Sequence, residues 1–465
     1  MTAEEKSSLS SEVLSEHSPE HSPEDPLDNL SEKNKPQNIY QKLSRQLFQL
    51  GQQHPDWSYI FSLWLGTRLL ILVIMLAIAP LLPVPPNVPP VYGDWSVFAA
   101  WDSDFYREIA QKGYRFAADG KQHNSIAFFP LYPLLAKALI MVGIKFRVGA
   151  VLINNAAFFG TIVALYYWMK SQYSAKAARW VTAVLALCPL SLYGTVIYTE
   201  GLFLFVSTLS LWSFEQRNYL GTGFWGALAT ATRPTGVALI PALLLASFKE
   251  KRGLGAIAAS ISTAAGIGAF SLYCWWQFKE PLAFFIAQRS WRPELGFDRN
   301  GWLHMFMEII VGWDNWKNFA WVDPLHPIVF LGVCIAGITL WWNRRWFSET
   351  NLGYGYLVLS FILWLLGGDA FINIAMSLGG AYLLWVMQPK LSLVVMTYGF
   401  CGLGLILSSG STISVNRISY GIVALAIALG LWLSERPKWG YVILSWFGLV
   451  LATFALRFAR NLWVA

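Results

Sequence analysis

The chain has 465 residues, of which 55% are hydrophobic and only 13% are charged. A soluble domain carries roughly 25% charged residues, so this composition excludes an ordinary soluble enzyme and indicates a polytopic membrane protein. The formal net charge is +7, but residues 57–465 hold 29 basic and 17 acidic residues, a net charge of +12. Positively charged cytoplasmic loops and attraction to anionic lipid phosphate both account for such an excess. We therefore expect membrane lipids, and not nucleic acid, as partners.

The N-terminal segment differs in composition from the rest of the chain. Residues 1–35 are rich in Ser, Glu and Pro and contain the repeat HSPEHSPE. Such a composition cannot bury a hydrophobic core, so we expect a disordered acidic tail over residues 1–45 and one transmembrane domain over 46–465. The first apolar run begins at Trp57 and is too long for a cleavable signal peptide. Lys42 and Arg45 precede it, which predicts a cytoplasmic tail and an extracytoplasmic first loop, residues 83–124.

Long apolar runs occupy most of the remaining sequence. A hydrocarbon core of about 30 Å requires helices of roughly 20 residues. The predicted helices cover 57–82, 125–143, 149–169, 177–197, 199–214, 219–248, 255–278, 327–342, 352–368, 371–387, 391–408, 418–433 and 438–456. These runs predict an all-α polytopic fold with about 11–13 transmembrane helices and an amphipathic helix in the first loop.

Prolines interrupt two of these runs. Pro234 predicts a turn at 233–236 that divides the run 219–248 into two short legs. The segment FFPLYPLL, residues 128–135, is expected to fail to cross the membrane fully. A second long loop, residues 279–326, is rich in aromatic side chains, which prefer the membrane interface. Counting spans from the cytoplasmic run KEKR places this second loop on the same side as the first.

Cysteine and histidine spacing gives no sign of a metal site. All four cysteines lie inside apolar segments without CxxC spacing, and the six histidines form no HxxxH pair. We therefore read the cysteines as small buried hydrophobic residues and expect no zinc chemistry.

The hexapeptide WDSDFY, residues 101–106, places two aspartates at the edge of the apolar sequence. On a helix, Asp102 shares the apolar side with Tyr106, whereas Asp104 falls on the polar side with Arg107 and Glu108. Asp102 is therefore the unusual carboxylate. Helix N-capping and chemistry remain equally good explanations of it, because Asp before an amphipathic helix is a common cap.

Four further ionisable residues interrupt apolar runs, and Asp369 ends one. An ionisable group within the membrane is by default a functional hypothesis. The alternative is mutual pairing, for example of Glu200 with Arg233, as a structural tie. We interpret Asp369 as an interfacial helix end. The four interrupting residues are Arg68, Glu200, Arg233 and Arg417.

An enzyme that transfers a sugar from a lipid-linked phosphate requires residues of these types. A carboxylate that faces a cavity can remove a proton from a sugar hydroxyl. Arginines can hold the phosphate of a lipid-linked sugar and stabilise it as it leaves. Asp102 and Asp104 also form a DxD pattern, which often binds a metal–diphosphate. We expect no divalent metal to be required, because the two carboxylates diverge on a helix and a monophosphate needs less neutralisation.

Five blocks of the sequence carry a family resemblance: Trp101–Tyr114, Ala127–Leu135, Cys188–Phe203, Leu228–Gly236 and Pro281–Trp291. Together they resemble the PIG-V family, the GPI mannosyltransferase 2 group of the GT-C glycosyltransferases. The blocks follow in family order and cover about half of the chain, residues 57–291, whereas the last third matches poorly apart from an arginine equivalent at Arg417. The acidic residue that often follows GY in eukaryotic members is absent.

The resemblance implies a transferase that takes a sugar, in this family mannose, from a polyprenyl-phosphate (dolichyl-phosphate) carrier. It implies an inverting reaction at an extracytoplasmic or lumenal face, with Asp102 as the single catalytic carboxylate. The acceptor, a lipid or a glycan, is not fixed by it. A bacterial cell membrane is favoured, with the endoplasmic reticulum membrane as the eukaryotic counterpart. The expected substrate-binding residues are Trp101, Tyr106, Tyr114, Glu200, Arg233, Gln288, Trp291 and Arg417.

Two other functions remain open from the sequence. A transporter or flippase of lipid-linked sugars would usually show internal repeats with matched broken helices, and only RPTG is broken here. A non-catalytic subunit of a transferase complex would keep the same fold without activity. A transfer assay with a synthetic polyprenyl-phosphate sugar separates these functions from an enzyme.

Overall fold

The computed structural model describes residues 55–83, 90–117, 124–290, 292 and 296–464, and these residues are almost entirely helical. The N-terminal tail predicted over residues 1–45 lies outside this part of the chain. The α-helices are Pro55–Val73, Asp102–Lys112, Leu131–Met141, Phe146–Gln172, Ala175–Leu187, Glu200–Glu215, Tyr219–Thr232, Leu239–Lys249, Leu254–Ser262, Ala265–Phe278, Ala283–Ala287, Arg299–Ile310, Trp313–Asn318, Leu325–Trp342, Glu349–Ile374, Gly380–Met387, Leu393–Leu407, Val415–Tyr420, Val423–Glu435 and Pro437–Ala459.

Short helical turns of other types join or extend these helices. The 3-10 turns are Ala79–Leu81, Trp95–Phe98, Ser125–Ala127, Pro189–Gly194, Pro234–Ala238 and Gln288–Ser290, and the π-helical turns are Ile74–Ile78 and Ala375–Gly379. Among the residues that the structure covers there is no strand, only an isolated bridge between Gly296 and Ser409.

Six helical runs in the described ranges are long and apolar enough to cross a membrane: Pro55–Leu81, Phe146–Gln172, Leu254–Phe278, Leu325–Trp342, Glu349–Met387 and Pro437–Ala459. The run Glu349–Met387 is broken at Gly368, whose φ of 48° and ψ of −125° are not helical, between the two predicted helices 352–368 and 371–387. Shorter apolar helices accompany them at Leu131–Met141, Pro234–Lys249, Leu393–Leu407 and Val423–Glu435. The predicted all-helical, multi-pass fold class is confirmed. The prediction of about 11–13 spans counted the shorter runs as well, because run length alone does not show where a helix breaks.

One predicted helix is wrong over its second half. The run 177–197 was expected to be continuous, but the α-helix ends at Leu187 and a 3-10 turn, Pro189–Gly194, follows. Pro189 lacks the backbone N–H that an α-helix would need at this position. Arg68 instead stabilises the bend, because its Nη1 donates to the Ser191 carbonyl at 3.0 Å and to Thr195 Oγ1 at 2.8 Å. The residue therefore forms a structural tie within the core.

The first loop contains the predicted amphipathic helix, Asp102–Lys112, which buries Tyr106, Ile109 and Ala110. The following proline-bearing segment packs on it, with the ring of Phe128 stacked on Phe105 at 4.6 Å between centroids. Its helix, Leu131–Met141, has 11 residues. At 1.5 Å per residue it is about 16 Å long, half of a hydrocarbon core. This segment is too short to cross the membrane as a helix, as the sequence predicted.

The second loop is fastened to two other parts of the molecule. Gln288 Nε2 donates to the Ala127 carbonyl at 2.9 Å, which ties the loop to the first loop's end. Further along, Gly296 exchanges backbone hydrogen bonds with Ser408 and Gly410, at 3.1 and 2.8 Å. Asp298 then caps the helix Arg299–Ile310 through the Gly301 N–H at 2.8 Å. These contacts bring the two predicted loops together around one cavity.

Candidate active site

A cavity of about 730 Å³ opens between the first loop, the RPTG turn, the second loop and the helix Val415–Tyr420. Its apolar walls combine aliphatic side chains with four phenylalanines, two from the segment after the first loop and two from the second loop: Phe128, Phe129, Phe284 and Phe285. Its polar walls carry Asp102 and four arginines: Arg233, Arg289, Arg292 and Arg417. A mostly apolar cavity of this size with a few convergent polar groups is the usual form of a small-molecule site.

Asp102 is the only acidic side chain among the described residues that line this cavity. It is the first residue of its helix, and among the described hydrogen bonds no backbone N–H of the helix donates to its carboxylate. Asp102 Oδ2 instead accepts a hydrogen bond from Arg417 Nη1 at 2.9 Å. The capping explanation that the sequence left open is therefore not what the carboxylate does in this structure.

Asp104 lies outside the cavity, as the helical-face argument predicts. Its side chain is 69% exposed, compared with 24% for Asp102, and it pairs with Arg107 on the next turn at 3.0 Å. The two carboxylates of the DxD pattern therefore point to different surroundings.

Arg417 connects the two acidic side chains of the site. Besides Asp102, it approaches Glu200 through Nε, at 3.6 Å from Oε1. Its guanidinium lies over the rings of Tyr198 and Tyr193, at 5.0 and 5.5 Å from their centroids. Aromatic faces attract cations, and this attraction strengthens where water is excluded. Arg417 is therefore held from two sides.

Strained backbone flanks both partners of the ion pair between Asp102 and Arg417. Trp101, directly before Asp102, has φ of 46°, and Ser414, at the start of the short helix that carries Arg417, has φ of 59°. Non-glycine residues rarely adopt positive φ, and such strain tends to collect at functional sites. The fold therefore holds both charged side chains in place at a local energetic cost.

Glu200 is completely buried behind the cavity wall and is paired with Arg233. As the first residue of its helix, its carboxylate also lies at the favourable positive end of the helix dipole. Arg233 Nη1 donates in addition to Thr199 Oγ1 at 3.2 Å. The predicted alternative, a tie between Glu200 and Arg233, is thus present, and it joins the same cluster as Asp102 and Arg417.

The RPTG turn places Arg233 at the cavity. The helix before it ends at Thr232, and Arg233 has extended backbone, φ −151° and ψ 148°. A residue before proline disfavours helical backbone, so Pro234 ends the helix at this point. The predicted division into two legs with a turn between them is confirmed, with Leu239–Lys249 as the second leg.

Asn154 positions Glu200 although the sequence analysis did not single it out. This fully buried residue donates through Nδ2 to the carbonyls of Tyr193 and Val196, both at 2.7 Å. Its Oδ1 accepts from the Gly201 N–H at 2.9 Å. One side chain therefore fixes the bend before Glu200 and the helix start after it. An asparagine inside a long apolar helix was the available signal.

The other predicted binding residues divide into three groups. Tyr106 and Gln288 line the cavity. Trp101 instead packs edge-on against Phe458 and Trp463, and Tyr114 packs among the rings behind the first loop, with its hydroxyl bonded to the Phe128 carbonyl at 2.9 Å. Trp291 lies outside the described residues.

Two cavity arginines were missed because the sequence analysis selected ionisable residues only within apolar runs. Arg289 and Arg292 belong to the second loop and line the cavity. Burial, together with the nearby charges of Arg417 and Arg233, lowers the pKa of Arg292 to about 10. The arginine-containing block PLAFFIAQRSWR was the available signal. Asp369, by contrast, pairs with Arg457 at 3.4 Å and does not line the cavity.

These features define a multi-pass integral membrane protein with a charged, aromatic-walled cavity. Residues 92–250 match the family model described as mannosyltransferase (PIG-V), in agreement with the family resemblance seen in the sequence. The match includes Asp102, Glu200 and Arg233, but it ends before Arg292 and Arg417. Among curated protein sequences, none matches this chain.

Solved structures of glycosyltransferases resemble the backbone distantly. The oligosaccharyltransferase of Archaeoglobus fulgidus in complex with Zn and sulfate has a TM-score of 0.43 and 14% identity, covering 86% of this chain and 53% of that chain. Its complex with an inhibitory peptide and a dolichol-phosphate has a TM-score of 0.44 and 13% identity, covering 87% and 56%. ArnT from Cupriavidus metallidurans bound to undecaprenyl phosphate has a TM-score of 0.35 and 13% identity, covering 83% and 77%. The chain thus spans about half the length of the archaeal enzyme.

Proposed function

We propose that this protein transfers a mannosyl group from a polyprenyl-phosphate carrier to a hydroxyl of a lipid or glycan acceptor, at the extracytoplasmic or lumenal membrane face. The observation that carries the proposal is the placement of Asp102, the one carboxylate among the described cavity-lining residues, beside a group of guanidinium groups. A general base and a phosphate-binding group are the two elements that such a transfer needs.

Asp102 acts as the general base of an inverting displacement. The acceptor hydroxyl gives its proton to the Asp102 carboxylate while its oxygen forms a bond to the anomeric carbon. The bond from that carbon to the phosphate oxygen breaks on the opposite face, and its electron pair stays on the phosphate. Among the described contacts, only Oδ2 of Asp102 is used, by Arg417. Oδ1 is therefore the oxygen that receives the proton.

The ion pair between Asp102 and Arg417 couples the two halves of this reaction. When Asp102 becomes neutral, the charge of Arg417 loses its partner. At the same time, the leaving phosphate gains negative charge. A guanidinium placed beforehand at developing charge stabilises a transition state without reorganising. The reaction therefore moves negative charge from Asp102 to the phosphate within reach of the same arginine.

We propose further that the reaction requires no divalent metal. Asp104 points away from the cavity and is paired with Arg107. Asp102 and Glu200 are both engaged by arginines. Guanidinium groups therefore take the position at the phosphate that a metal ion occupies in other transferases.

Replacing Asp102 and Asp104 separately by Asn tests this function. Sugar transfer from a synthetic polyprenyl-phosphate mannose, measured in detergent, should fall by roughly 10²–10⁴-fold in Asp102→Asn, the usual contribution of a general base. Asp104→Asn is the matched control two residues away and should keep nearly full activity. EDTA in the same assay should leave the wild-type rate unchanged.

The opposite pattern of results would reject these assignments. A fully active Asp102→Asn variant would exclude Asp102 as the general base. If Asp104→Asn were inactive at the same time, the role of general base would belong to Asp104. Loss of activity in EDTA that returns with a divalent ion would contradict metal independence. A protein that moves the lipid-linked sugar across vesicles without transferring it would be a transporter.

A further inference from the structure

Arg292 has no ion-pair or hydrogen-bond partner for its guanidinium in the described part of the chain, although it lies in the cavity wall near Arg417 and Arg233. Arg233 and Arg417 differ from it, because each is bound to a carboxylate. A charge removed from water without a partner is unfavourable. The position of Arg292 is therefore one that an incoming anion would stabilise.

The charges along the cavity indicate how much negative charge that anion should carry. Four guanidinium groups line the wall, and the carboxylates of Asp102 and Glu200 offset two of them. Two positive charges, on Arg289 and Arg292, remain without a described carboxylate partner. Arg289 is exposed, whereas Arg292 is partly buried near Arg417 and Arg233. With a pKa lowered to about 10, Arg292 still carries its charge at neutral pH.

We infer that Arg292 binds the phosphate of the lipid carrier and stabilises it most strongly as the sugar leaves, an inference that rests on the proposed function. A polyprenyl-phosphate sugar is a phosphodiester with one negative charge. The polyprenyl phosphate that remains is a monoester with a charge of about −1.5 to −2 at neutral pH. The uncompensated charge of Arg292 therefore suits the more negative polyprenyl phosphate product. It also suits the negative charge that develops on the phosphate as the sugar leaves.

This assignment gives the arginines of the cavity different roles. Arg233 and Arg417 keep Glu200 and Asp102 in position and face the phosphate with their remaining N–H groups. Arg292, on the second loop, supplies the uncompensated charge that those two lack. Interactions that strengthen only in the transition state raise kcat without tightening substrate binding. Removal of Arg292 should therefore lower kcat far more than it raises KM.

The test uses the full chain in detergent with Arg292→Gln and Arg292→Lys. In Arg292→Gln, kcat should fall on the order of 10²-fold, as for loss of one oxyanion donor, while KM for the donor changes by less than about fivefold. Inhibition by added polyprenyl phosphate should weaken at least about tenfold in the same variant. The reason is that the dianionic product loses more binding free energy than the monoanionic donor when Arg292 is removed. Arg292→Lys should recover part of both effects, since Lys keeps the charge without the planar fork.

Arg299→Gln is the matched control, because Arg299 is an exposed arginine of the same loop that does not line the cavity. It should leave kcat, KM and product inhibition unchanged. Equal product inhibition in Arg292→Gln and Arg299→Gln would overturn the inference while leaving a transferring wild-type protein, and hence the proposed function, intact. Direct binding of polyprenyl phosphate, measured by native mass spectrometry, tests the phosphate site independently of sugar transfer. Arg292-dependent binding without any sugar transfer would support this site and refute the proposed function.

Discussion

Arg417 lies between the two acidic side chains of the site and contacts them through different nitrogens. Nη1 is 2.9 Å from Asp102 Oδ2, and Nε is 3.6 Å from Glu200 Oε1. Of these two carboxylates only Asp102 reaches the cavity, since Glu200 is fully buried. Arg417 thus links a buried carboxylate to the carboxylate that faces the cavity.

Arg417→Lys and Arg233→Lys should therefore weaken transfer much more than they weaken folding. Lysine keeps the positive charge but presents one compact ammonium, which cannot hold two groups in the planar geometry of a guanidinium. We expect kcat/KM to fall on the order of 10²-fold in each variant. The measurement is transfer kinetics together with the thermal unfolding temperature.

Arg436→Lys is the control for these two variants. Arg436 makes an exposed pair with Glu435 at 3.7 Å, and it does not line the cavity. Exposed pairs contribute little to stability, so this variant should match the wild type in rate and unfolding temperature. Wild-type activity in both Arg417→Lys and Arg233→Lys would remove these residues from the proposed phosphate site.

The RPTG turn shows at the level of one element how a local sequence creates the site. Pro234 ends one helix, and Gly236 allows the turn to pack against that helix. A Cβ atom at Gly236 would lie 2.7 Å from the Ala229 carbonyl oxygen and 2.9 Å from the Thr230 Cα. These neighbours are backbone atoms, which cannot rotate away. Any side chain at this position must displace the turn that carries Arg233.

Gly236→Ala should consequently lower both the unfolding temperature and the transfer rate. Overpacking a tightly packed site costs about 1–3 kcal/mol, and the displaced turn moves Arg233. Gly268→Ala is the matched control, because a Cβ there meets nothing within 4 Å inside the helix Ala265–Phe278. Alanine is the better helix former by about 1 kcal/mol, so the control should be neutral or stabilising. Equal behaviour of the two alanine variants would contradict this account of the turn.

Local sequence predicted some elements and could not predict others for physical reasons. The helix that carries Asp102 and the RPTG turn follow from helical periodicity and from proline, which act within a few residues. The bend at 188–199 does not, because contacts from Arg68 and Asn154, distant in sequence, satisfy its backbone. A hydropathy pattern records that this stretch is buried but not which groups hold it.

Across the whole molecule, the sequence identified most charged members of the site without identifying their partners. Asp102, Glu200, Arg233 and Arg417 were selected because each is a charge in or beside apolar sequence. Asp102 and Arg417 are 315 residues apart, and periodicity gives the face of a helix but not the helix that packs against it. Arg292 was missed because it lies in a loop and not in an apolar run, and only the folded second loop brings it to the cavity.

The long-range ion pair should therefore be measurable as a coupling between the two ends of the chain. In a double-mutant cycle with Asp102→Asn and Arg417→Gln, we expect a coupling free energy for unfolding of about 1–3 kcal/mol, as for contacting groups that share one network. The matched cycle uses the neighbouring carboxylate, with Asp104→Asn and Arg107→Gln. That pair is also 3.0 Å apart, but its side chains are 69% and 47% exposed. Exposed pairs give about 0.2–1 kcal/mol.

The comparison of the two cycles isolates what the fold adds to an ion pair. Both carboxylates come from the same six residues, and both pairs have nearly the same length, so a difference between the cycles reflects burial and the network around Arg417. The sign of the coupling free energy matters as well, because the desolvation cost of a buried ion pair can equal or exceed its Coulomb attraction. A larger favourable coupling at Asp102 means that the last third of the chain holds this carboxylate in place. Equal couplings in the two cycles would contradict this, and the position of Asp102 would then be fixed by its own helix alone.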